Sequence, residues 1–198
     1  DAGITVRIAY EPRLVRVVLS EKDAKEIQEY YNRCAEQGAN EEQIEESKRA
    51  MSRMTAILGH PDRLKRLAKD VVEHYETLCA EKPEIVQKAM IVCADRTLAY
   101  RVLKEILKIR PKWGIPKKCE DESRFSEDEL DQLVEIPKIN LVATRGENDE
   151  SELYNLCGTK EYRAKLDEQF KNTQSNFKIA IVVDMWITGF DVPSLAVM

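Results

Sequence analysis

The sequence predicts an α/β fold: a parallel sheet with flanking helices, plus an N-terminal helical block. Three observations carry that prediction. Residues 88–93, 139–143 and 178–183 are short apolar runs, the pattern of strands covered on both faces. Segments with helical spacing of apolar residues lie between them. Each run also ends in polar residues: Asp95 and Arg96, then Thr144 and Arg145, then Asp184 and Thr188. With right-handed crossovers these ends lie side by side along one sheet edge, where open α/β sheets bind ligands.

The elements follow in order. Residues 4–19 alternate apolar and polar around Pro12, which predicts two short strands or one bent strand. Ile27, Tyr30, Tyr31 and Cys34 then form a helical stripe that ends at Gly38. Ile44, Met51, Met54 and Leu58 form a second, ending at Gly59. Pro61 opens a third helix, with Leu64, Leu67, Val71, Val72, Tyr75 and Leu78 on one face. Such stripes are ordinarily packing surfaces. After the strand at 88–93, Asp95, Arg96 and Thr97 start a helix carrying Leu98, Val102, Leu103, Ile106 and Leu107. Residues 112–136 are acidic and irregular, which predicts a solvated insertion with room for one helical turn. Residues 144–151 read as a polar loop, and Tyr162, Leu166 and Phe170 mark a helix near 159–171. The domain expectation is entry strands at 1–20, a helical insertion at 21–83 and an α/β lobe at 84–198.

Composition narrows the function classes. The 198 residues carry 31 basic and 36 acidic side chains, a net charge of −5, unlike the basic footprint of a stand-alone nucleic-acid binder. No run approaches the roughly 20 apolar residues of a membrane span, and no signal-peptide pattern opens the chain. No membrane partner is expected. The five cysteines are scattered, so no CxxC pair exists, and free thiols in the cytoplasm are expected. His60 and His74 fall in a predicted helix or its cap, a bland setting, and no metal site is expected.

Several catalytic layouts are missing from this stretch: a phosphate loop, a G-x-G-x-x-G turn and a nucleophile elbow. What remains is a partial binding surface. A helix starting at Arg96 directly after a strand offers free amides and a positive dipole end to a phosphate. Thr188 and Gly189 let backbone approach a ligand beside a hydroxyl. Asp191 can accept from a ribose hydroxyl. Left at that, the chain could equally be a non-enzymatic α/β interaction module.

Together these segments resemble the second RecA-like motor lobe of superfamily 2 helicases, in wording most like the R (motor and restriction) subunit of type I restriction enzymes. The stretch from Lys88 through Cys93 to Arg96 resembles motif IV. Residues 141–149, then 160–163 with Phe170, resemble the lead-in to motif V. The stretch through Asp184, Thr188, Gly189, Asp191 and Pro193 resembles motif V itself and is the most specific match. The resemblance covers nearly the whole chain and is weakest over 112–136. Another superfamily 2 DNA helicase or remodeller is the neighbouring alternative.

The resemblance implies a fragment of an ATP-dependent, DNA-translocating restriction endonuclease. It implies DNA-backbone contacts by Cys93 and Arg96 and phosphate contacts by Thr188 and Gly189. Gly189 and Asp191 would face nucleotide, and Asp184 would brace the motif. It further implies double-stranded DNA and the modification and specificity subunits as partners. ATP and Mg2+ would serve the full-length enzyme. No catalytic residue is expected within the fragment: the first lobe is expected before Asp1 and the arginine of motif VI after Met198.

Overall fold

The computed structural model describes residues 57–186 and 191–198. The expected entry strands at 4–19, the first helical stripe, most of the second, Thr188 and Gly189 lie outside the described residues. The chain divides into two compact units, Asp1–Met51 and Ser52–Met198, and every described residue belongs to the second.

Helix α1 (Pro61–Glu81) begins with proline in its first turn, where a missing N–H costs nothing. Leu64, Ala68, Val72 and Tyr75 form its buried stripe. Strand β1 (Lys88–Val92) follows, then helix α2 (Arg96–Ile109). Two 3-10 turns (Pro111–Gly114 and Glu122–Arg124) and helix α3 (Glu127–Gln132) lead to β2 (Ile139–Val142). Helices α4 (Ser151–Cys157) and α5 (Lys160–Lys171) precede β3 (Ile179–Val182), and β4 (Leu195–Val197) completes the set.

The strands form one sheet in the order β2-β3-β1-β4, and every pairing is parallel. The three predicted strands are therefore present and parallel, as a RecA-like α/β fold requires. The fourth was not legible, because three residues beside Pro193 carry no periodicity. Register runs straight across the sheet: Leu141, Ile181 and Ile91 stand level, as do Val142, Val182 and Val92.

Alternation along the strands sorts the core into two layers. Ala89, Ile139, Leu141, Ile179 and Ile181 pack with α1, α2 and α4. Met90, Val142, Ala180 and Val182 pack with Leu166 and Phe170 of α5 and with Phe177. Each fully buried Val, Leu, Ile, Phe or Met among them contributes roughly 1.5–3 kcal/mol.

Two expectations change. Residues 112–136 are anchored, not simply solvated. Trp113 is buried edge-on against Tyr75, with ring centroids 5.9 Å apart. Lys117 and Ile136 form an antiparallel bridge, and the Asn176 backbone N–H donates to the Lys118 carbonyl at 3.2 Å. Cys119, Leu133 and Ile136 are buried, so the acidic residues ride on an apolar clamp that the charge count concealed. The polar stretch after β2 also leads into a helix, α4, whose seven residues are too few to show a stripe.

Candidate functional site at the carboxyl edge of the sheet

The backbone brings the three strand ends together. The Cys93 N–H donates to the Val182 carbonyl at 2.9 Å, and the Val183 N–H to that of Val142 at 3.3 Å. The loops after β2, β3 and β1 therefore leave one edge in that order.

Asp95 and Arg96 sit where β1 becomes α2. The Asp95 carboxylate caps the helix, accepting from the Leu98 N–H at 2.7 Å. One of the helix-start amides expected to face a ligand is thus already satisfied. Arg96 stands half-exposed, and its Nε donates to Asp149 Oδ1 at 3.1 Å. The other oxygen of Asp149 accepts from the Gly146 N–H at 2.6 Å. Cys93 is buried with the α2 layer, so its thiol stands behind the edge. Burial, with Asp95 nearby, pushes that thiol up to about 11.

Further basic groups gather after β2. Arg145 lies 4.2 Å above the Tyr154 ring and donates through Nε to the Tyr154 carbonyl at 3.0 Å. Arg163 donates to the Gly158 carbonyl at 3.2 Å. Gly158 has φ +60°, and a Cβ there would fall 2.1 Å from Tyr162, so this turn requires glycine. Burial raises the Cys157 thiol and Asp149 adds to that, while Arg96, Arg163 and Arg145 pull it back. One thiol thus senses all three guanidiniums.

At the end of β3 the backbone is strained. Asp184 and Trp186 have φ of 54° and 61°, a region Asp visits more readily than most residues and a bulky ring seldom adopts. Trp186 stacks on Phe170 at 5.4 Å. Asp184 is exposed and makes no hydrogen bond among the described residues, while the stretch it was expected to brace includes 187–190. Asp191 is exposed, next to buried Val192.

The edge therefore presents guanidiniums, one helix start and exposed carboxylates. Among the described residues no three carboxylate, thiol or imidazole groups converge as metal ligands. No helix among them is long and apolar enough to cross a membrane. The described cysteines, Cys79, Cys93, Cys119 and Cys157, are free thiols. The sequence reading singled out Arg96 but passed over its neighbours Gly146 and Asp149. Their three-residue spacing in a polar loop was the available sign, a common turn pattern with no specificity of its own.

Comparison with known proteins agrees with this architecture. Residues 69–198 match the family described as type I restriction enzyme subunit R domain 3. The chain is 30% identical over 198 residues to a Methanocaldococcus jannaschii protein named as the type I restriction enzyme MjaIXP endonuclease subunit, spanning 99% of this chain and 16% of that protein. It is 30% identical over 138 residues to the type I restriction enzyme HindI endonuclease subunit of Haemophilus influenzae, covering 69% of this chain and 11% of that one. The chain thus spans less than a fifth of the length of these curated relatives. A parallel α/β sheet whose residues match domain 3 across most of the chain belongs to the R-subunit family of type I restriction enzymes.

Proposed function

We propose that this chain is the second motor lobe of an ATP-dependent, DNA-translocating restriction subunit, and that the carboxyl edge of its sheet couples DNA to nucleotide. The observation that carries the reading is Arg96. It is a half-exposed guanidinium at a helix start, on the shared edge, in a chain that matches the R subunit. Guanidinium and backbone amides are the groups that hold nucleic-acid phosphates without reading sequence.

In this reading Arg96 contacts the DNA backbone with Thr188 and Gly189, while Gly189 and Asp191 face the nucleotide. Cys93 supports the contact from behind through its backbone position. Asp184 occupies the strained turn that leads into the motif. When bound, ATP supplies the free energy for movement. Mg2+ would accompany the nucleotide in the full-length subunit. The 198-residue piece is then silent alone. Double-stranded DNA and the modification and specificity subunits are its partners, in the cytoplasm.

The test is uncoupling. In the full-length subunit, Thr188→Ala is expected to leave ATP hydrolysis largely intact while translocation, followed by strand displacement, is lost. Translocation at the parent rate would sink the assignment. The purified 198-residue piece is expected to hydrolyse no ATP. Turnover abolished by Asp191→Ala would overturn its silence.

A further inference from the structure

We infer that Gly146 and Asp149, on the loop after β2, are positioning residues for Arg96, fixing its guanidinium so that the outer fork faces a phosphate. This rests on the proposed role of Arg96 as a backbone contact. The geometry is specific. Asp149 engages Nε, the inner edge of the guanidinium, at 3.1 Å, and its own second oxygen is held by the Gly146 N–H at 2.6 Å. The Asp149 side chain is only 8% exposed and that of Arg96 37%, so the carboxylate is the fixed partner and the arginine the presented one. Among the described residues Nη1 and Nη2 have no hydrogen-bond acceptor. Those two nitrogens form the fork that grips a phosphate in bidentate fashion.

Gly146 supplies the floor. A Cβ built there would fall 2.1 Å from Arg96 Nη2, 2.8 Å from its Cζ and 2.9 Å from Asp149 Oδ1. Arg96 therefore lies flat against bare backbone. The only described glycine with positive φ is Gly158, so Gly146 is required for space and not for its backbone conformation. Alanine at 146 suits the backbone conformation of the loop but fits neither Arg96 nor the Asp149 carboxylate where they now lie. The arginine is the end of a flexible chain and can swing away, so the substitution separates positioning from folding.

The experiment uses the full-length subunit and a fluorescent DNA duplex, with affinity measured from about 50 to 200 mM salt. Each phosphate contact contributes about 0.9 to the slope of log K against log salt. Arg96→Ala is expected to lower the slope by about that amount. Gly146→Ala and Asp149→Ala are expected to reproduce the drop, and the double variant Arg96→Ala with Gly146→Ala to lose no more than either alone. A merely structural role would shift the melting temperature and leave the salt slope alone. If Arg96→Ala lowers the slope and Gly146→Ala does not, or if the two losses add, the positioning inference is overturned while the phosphate reading of Arg96 stands. If Arg96→Ala leaves the slope unchanged, both are overturned.

Discussion

Lys88 shows how one residue can be placed against its chemistry and still be accommodated. It occupies a strand position that faces α5 and is fully buried. Its ammonium donates to the carbonyls of Gln169, Phe170 and Asn172, the unsatisfied end of α5, and lies 5.0 Å from the Phe170 ring centre. A cation suits a helix C-terminus. Burial nevertheless draws its pKa down to about 7, and Lys178 adds repulsion. The folded form then sheds a proton that the unfolded chain keeps until about pH 10.4. The cost of the buried charge is present in full below pH 7 and is relieved as pH rises above it. Stability is expected to climb by about 1–2 kcal/mol between pH 7 and 9. Above that the buried Cys93 thiol, raised to about 11, works in the opposite direction. Urea midpoints at pH 7, 8 and 9 check this, and Lys88→Met is expected to flatten the rise. Nothing in the sequence marked this residue, since a lysine opening an apolar run reads as the polar boundary of a strand.

At the scale of elements, α5 depends on one aromatic. Phe170 is fully buried, tilted against Phe177 at 4.8 Å and stacked with Trp186 at 5.4 Å. It joins the helix to the strained turn after β3. Phe170→Ala is expected to cost about 3–5 kcal/mol, read as a lower urea midpoint. The near-UV signal of Trp186 is expected to weaken with it. The helix that starts at Arg96 was legible because an Asp before an apolar stripe is a cap signal, and Asp95 caps it. The strands β1, β2 and β3 were legible because strands buried on both faces cannot hide their composition; their register was not. The contacts around Arg96 were not legible. They join residues 53 positions apart through a loop whose own letters say only that it is polar.

For the molecule as a whole, the acidic stretch has a clear location. Its anchors, from Trp113 to Lys138 and from Lys118 to Asn176, tie it next to the starts of β2 and β3. It therefore sits at the amino edge, away from Arg96, Arg145 and Arg163. A net charge of −5 argued against nucleic acid when summed, but a sum over the whole chain says nothing of which charges share one end of the sheet. Reversing Glu127, Asp128 and Glu129 to lysine together is expected to change DNA affinity of the full-length subunit far less than loss of Arg96 does, by the same titration. Which residues share an edge is a property of topology, and net charge carries none of that information.

The strand order has a consequence for synthesis. β3 lies between β1 and β2, yet it is made more than eighty residues after β1 begins and some forty after β2 begins. A nascent chain therefore carries two unsatisfied, strongly apolar strands with a gap where their common neighbour belongs. Until 179–182 arrives, each exposes an open hydrogen-bonding row able to recruit the wrong partner. The strand that leads into the last-made part of the candidate site is thus also the keystone of the sheet, so a chain interrupted before it would lose its fold along with its chemistry.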